Sequence, residues 1–91
     1  MKHSVEDYVT VMVESEQDAF EETGFASFPS QETDEFQDLK SHLMSILWRK
    51  LRHFPQKDFK NGVVDQAIYE VDIEGHHLVA DCMDQIAGKL A

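Results

Sequence analysis

The sequence predicts an all-α fold, a small antiparallel three-helix bundle. Three observations point there. Apolar residues recur with helical period in three stretches, two of these stretches open on helix-capping residues, and the segments between them are short and carry Gly or Pro. The chain has 91 residues, of which 42% are apolar, which suits a single helical domain over 1–91.

The first helix is expected from Ser4 to about Thr23. Ser4 followed by Asp7 resembles a capping box with Asp in place of Glu. Val5, Tyr8, Val9, Met12, Val13, Ala19 and Phe20 follow in mostly helical spacing. On propensity alone the β-branched run 8–13 reads as a strand. Helix is preferred because no turn signal separates that run from the Glu-rich residues after it. Gly24 is the expected stop. In the loop 24–33, Phe25 and Phe28 are expected to tuck beneath as a small satellite of the core, and Pro29 keeps Phe28 out of helix.

The second helix, about Thr33 to Phe54, carries the clearest pattern. Thr33 can cap it, and Asp34 and Glu35 suit the positive end of its dipole. Phe36, Leu39, Leu43, Ile46, Leu47, Leu51 and Phe54 form one apolar stripe, and Pro55 ends the helix. Residues 55–62 form a turn, with Asn61-Gly62 as its sharpest signal.

The third stretch runs from Val63 to Leu90. Val64, Ala67, Ile68, Val71, Leu78, Cys82, Ile86 and Leu90 keep a helical stripe through Gly75. The strict alternation over 69–73 supports a short strand there instead; the continuing stripe favours one helix, long or kinked at Gly75. Straight, that helix would span roughly 40 Å. Either it bends, or it projects and pairs with a second copy, so a homodimer is expected.

The formal net charge of −10 is unevenly placed. Residues 1–39 hold eleven acids and one base, 40–60 hold six bases and one acid, and 61–91 hold six acids and one base. Such a surface repels nucleic acid and anionic membrane, and favours a basic protein partner. No apolar run approaches the ~20 residues of a membrane span. The acidic start lacks an apolar signal core, and the one cysteine, Cys82, cannot form a disulfide framework; the protein therefore reads as cytoplasmic. Cys82, on the apolar stripe, reads as a small buried hydrophobe rather than a nucleophile.

The expected partner-binding face is acidic. Asp7, Glu14, Asp18 and Glu21 share one side of the first helix, and Glu22, Glu32, Asp34, Glu35 and Asp38 extend the set if helices one and two lie side by side. The leading functional reading is a small non-enzymatic binding protein, an inhibitor or regulator that occupies a basic or DNA-binding surface on another protein, in its sharpest form by DNA mimicry. Small acidic proteins carried by phages and plasmids act in this way. The plain alternative is a solvated face that keeps the protein soluble.

Two rivals come from other classes. Lys40, Arg49, Lys50, Arg52, Lys57 and Lys60, with Trp48 and His53, are the residue types that bind nucleic acid. The simpler reading is that these bases neutralise the acidic helices beside them. Glu70, Glu74, His77 and Asp81, near His76 and Cys82, share one face of a continuous third helix and are the residue types of a metal-dependent hydrolase. On that one helix the row resembles the magnesium-binding helical nucleotide pyrophosphatases. The paired Glu-x-x-Glu that those enzymes carry on a second helix is absent, so the chain is not assigned to them. No phosphate loop, nucleophile elbow or Cys-x-x-Cys pair is present, and the sequence assigns no catalytic residue, metal or cofactor.

Overall fold

A computed structural model describes residues 3–90; Met1, Lys2 and Ala91, counted above in the domain and in its charge, lie outside the described residues. The described chain is helical and contains no strand. Its helices are α1 (Val5–Thr23), α2 (Asp34–Leu51), α3 (Val63–Ile73) and α4 (His77–Leu90), with a 3-10 turn at Gln56–Phe59. None of these helices is long and apolar enough to cross a membrane.

α1 begins on the capping box. The Ser4 hydroxyl accepts from the Asp7 amide at 3.3 Å, and the Asp7 carboxylate accepts from the Ser4 amide at 2.9 Å. Those bonds start the helix immediately before the β-branched run 8–13. The run then stays helical because Tyr8, Met12, Ser15 and Ala19 fall on one buried side. Packing of that side outweighs the strand propensity of Val9, Val11 and Val13. Gly24, at φ 74°, closes α1 and donates its amide to the Phe20 carbonyl.

Thr33 caps α2 by accepting from the Phe36 amide at 3.2 Å. The helix ends at Leu51, three residues short of the expected Phe54. The amides of His53 and Phe54 bond to carbonyls three residues back, tightening the chain into a turn before Pro55, which disfavours helix at Phe54. Phe54 keeps its apolar role outside the helix, 5.0 Å from the ring of Tyr8.

The expected single third helix is two helices. Gly75 adopts φ 96° and donates to the Asp72 carbonyl, while His76 donates to the Val71 carbonyl, both at 3.0 Å. This paired arrangement satisfies the last carbonyls of α3 and reverses the chain, where a kink would have let it run on. α4 therefore folds back against α3 instead of projecting, and the molecule measures 37 × 24 × 19 Å. The helix length that motivated a homodimer does not exist. The alternation at 69–73 marks no strand either: Val71 faces the core while Tyr69 and Ile73 stand outside it.

One core draws on all four helices, with Met12, Leu39, Leu43, Leu47, Leu51, Val71, Val79 and Met83 at its centre. Cys82 lies in it fully buried, as the apolar stripe implies, and burial pushes its thiol up to about 11. A polar contact crosses one end: the Tyr8 hydroxyl donates to Asp58 at 2.8 Å, and the Asp58 side chain is entirely enclosed. Its second oxygen, Oδ1, has no hydrogen-bond partner among the described residues. Burial, and then the bond to Asp58, raise the pKa of Tyr8 far above its ordinary value.

Candidate functional site

α1 and α2 lie side by side, as the acidic reading requires, but the contact divides the predicted acids into two groups. One group, itself half exposed, pairs with Lys50, Arg49 and His42 of α2. Asp18 holds Lys50 at 3.1 Å, and Glu22 meets His42 at 3.2 Å and Arg49 at 3.9 Å. Asp38 lies 3.6 Å from the other ring nitrogen of His42. Asp7 is engaged in the capping box, and its backbone bond from Ser4 holds its carboxyl below the ordinary range.

The other group faces outward. Glu14 and Glu21 are exposed on α1, seven residues and about 10 Å apart along the axis. Asp34 and Glu35 are exposed on the first turn of α2, and Glu32, in the loop before it, is exposed and accepts from Ser30. The row of Asp7, Glu14, Asp18 and Glu21 on one side of α1 is thus interrupted at alternate members. Glu21 and Glu22 also stand in the last turn of α1, which has no base. Acids there oppose the helix dipole at a cost of about 0.3–1 kcal/mol each.

The basic segment divides likewise. Lys40 reaches Asp81 of α4 at 3.9 Å, and Arg49 and Lys50 are committed to α1. Arg52 donates to the His53 ring, while Lys57 and Lys60 lie exposed around the 3-10 turn. Trp48, 44% exposed, lines a groove with Met44, Ile86 and Lys89. Three of the six predicted bases, Lys40, Arg49 and Lys50, therefore neutralise neighbouring helices.

The metal candidates are dispersed by the turn at Gly75. Glu70 lies in the last turn of α3 and Glu74 caps that helix, while His77 and Asp81 belong to the start of α4. His77 pairs with Asp72 at 2.8 Å, and Asp81 accepts from Gln85 at 3.0 Å and meets Lys40. No three of the His, Cys, Asp and Glu side chains among the described residues are placed to hold a metal ion. The shared face expected of them needed one unbroken helix.

A cleft of about 550 Å³, absent from the expectations, opens where α1, α2 and the start of α4 meet. Phe28, Phe36 and Leu78 supply its apolar wall. Phe28 was expected beneath its loop; it is 51% exposed and bridges Phe20 and Phe36 at the cleft edge, while Phe25 does pack against the core. Across the cleft, Glu16 holds the Nδ1 of His76 at 2.9 Å, with the Glu16 side chain only 13% exposed. When Nδ1 donates to that carboxylate, Nε2 carries the lone pair of the neutral ring. This can accept a proton or a hydrogen bond, but among the described residues no Ser, Thr, Cys or Tyr lines the cleft to serve as its nucleophile. Sixty residues separate Glu16 from His76, and no local pattern announces the pair.

Comparison of the chain with protein-family models, with curated proteins and with solved structures finds no match.

Proposed function

We propose that this protein is a non-enzymatic binding protein that regulates or inhibits another protein by occupying a basic surface on it. The observation that carries the reading is the disposition of charge. Lys40, Arg49 and Lys50 are drawn into pairs with Asp81, Glu22 and Asp18, while Glu14, Glu21, Asp34 and Glu35 face solvent. The outward field is therefore acidic, which speeds encounter with a basic partner and discourages nucleic acid. A partner that itself binds DNA is the sharpest form, with the outward carboxylates standing in for phosphates. The acids at the end of α1 fit this reading, because they weaken the helix they belong to.

The test begins with capture of partners from a lysate and continues with the purified pair. Affinity should fall steeply between about 50 and about 200 mM salt. Glu14→Gln with Glu21→Gln should slow association more than it speeds dissociation. DNA and this protein should compete for one site on a DNA-binding partner. Binding that ignores salt overturns the electrostatic reading; simultaneous binding of DNA overturns the mimicry form alone.

A further inference from the structure

Two large apolar side chains stand outside the core on α3: Tyr69 is 59% exposed and Ile73 62% exposed. Four residues apart, they follow one line along the helix. Beside Ile73, Val9 and Val13 of α1 form the floor of a shallow groove of about 340 Å³, with Glu70 and Glu74 along its α3 side. Val9 and Val13 are also four residues apart, and both are half-buried. On α1 the neighbouring exposed positions are Glu6, Thr10 and Gln17. At one end of the groove, His76 is held by Glu16.

We propose that this α1–α3 groove receives a cationic amphipathic helix of a partner protein. The inference rests on the reading of the protein as a binder of basic surfaces, and it names the element of the partner that is held. Val9 and Val13 on α1 and Ile73 on α3 line the groove, and Tyr69, one turn before Ile73 and outside that lining, extends the apolar surface, so that together they match the stripe a third helix lays alongside. The rim decides the sign of the partner. α3 has no base in its last turn, and among the described residues the Glu70 carboxylate accepts from the Gln66 amide, at 3.4 Å, and makes no ion pair. Glu74 is exposed at the same end. Lysines or arginines bordering an apolar stripe would meet Glu70 and Glu74, which line the groove, and Glu6, exposed three residues before Val9 on α1. A second copy of this chain would bring the same acids and a further −10 of charge to the contact. Anionic lipid is repelled for the same reason.

The probe is a fluorescein-labelled Leu/Lys peptide with an idealised amphipathic stripe, set against a peptide of the same composition scrambled to destroy the stripe. Fluorescence anisotropy should show the striped peptide binding at least about tenfold more tightly than the scrambled one. Tyr69→Ser with Ile73→Ser should abolish that preference. Both positions are exposed, so the fold should survive, and the helical circular dichroism of the variant checks that it does. Equal binding of the two peptides, or a preference that survives the substitutions, overturns the groove. If that binding still falls with salt, the electrostatic reading stands without the groove; if it does not, the electrostatic reading falls as well. Light scattering of the protein alone supplies the last check. A dimer that Ile73→Lys separates would make a second copy the occupant and overturn the proposal.

Discussion

Removal of one oxygen atom from Tyr8 should cost this protein a large share of its stability. Tyr8→Phe keeps the ring, and with it the aromatic contacts to Phe54 at 5.0 Å and Phe59 at 6.0 Å. It deletes only the 2.8 Å bond to Asp58. Asp58 is fully enclosed, and its other oxygen already has no partner among the described residues, so the variant leaves the whole carboxyl without a donor. A buried acceptor stripped of its bond costs about 1–3 kcal/mol, and more when charged, so a loss of about 2–3 kcal/mol is expected. For a chain of this size that lowers the melting midpoint by roughly 10–20 °C. Urea and thermal unfolding followed by circular dichroism measure both quantities. Asp58→Asn added to Tyr8→Phe should recover part of the loss, because an unpaired amide is cheaper to bury than an unpaired carboxyl. A Tyr8→Phe variant within about 0.5 kcal/mol of the parent would refute the reasoning, since it would mean that Asp58 finds another donor without Tyr8.

The other predictions concern the core, the chain reversal and alkaline pH. Leu47→Ala, at a fully buried position of α2, should lose about 2–5 kcal/mol in the same urea titration; a loss under about 0.5 kcal/mol would show that this stripe is not the core. Gly75→Ala should cost about 1–2 kcal/mol from backbone strain alone, since φ is 96° and an added Cβ meets nothing within 4 Å. Equal urea midpoints for Gly75→Ala and the parent would show that the reversal does not depend on the left-handed conformation. Stability should fall as pH rises through the window from 9.0 to about 11 set by Cys82. The folded thiol holds its proton above the pH at which the unfolded thiol releases it, so the unfolded state binds fewer protons there. Cys82→Ala should flatten that part of the pH profile. Tyr8, raised in the same direction, prolongs the decline above its ordinary 10.0.

The helical class, the caps that start α1 and α2 and the buried stripe of α2 were legible from the sequence because each is recorded locally, whereas Val79 and Met83, at the centre of the core, were not read from it. Ser4 and Asp7 carry the start of α1, Thr33 that of α2, and the period of Leu39, Leu43, Ile46, Leu47 and Leu51 names a buried face that the structure keeps. The same locality explains the miscounted helix. Leu78, Cys82 and Ile86 continue the stripe of Val64, Ala67 and Val71 in phase, so periodicity cannot distinguish one long helix from two that fold back on one core. Gly75 permits either a kink or a reversal, and burial of both stripes in one core decided for the reversal.

The site followed the same division. The acidity of the chain is a property of composition. Which carboxylates face solvent depends on which helices are neighbours: Asp18 and Glu22 are spent on α2, and Glu14 and Glu21 are not. The pairs Glu16–His76 and Tyr8–Asp58 join residues 60 and 50 positions apart. The sequence by itself determined which segments coil and which of their faces are apolar, because those depend on residues within a turn or two of one another. Only the tertiary structure decided where the chain reverses, which charges neutralise one another and which apolar side chains stay outside, because these depend on the side-by-side packing of helices distant in the chain.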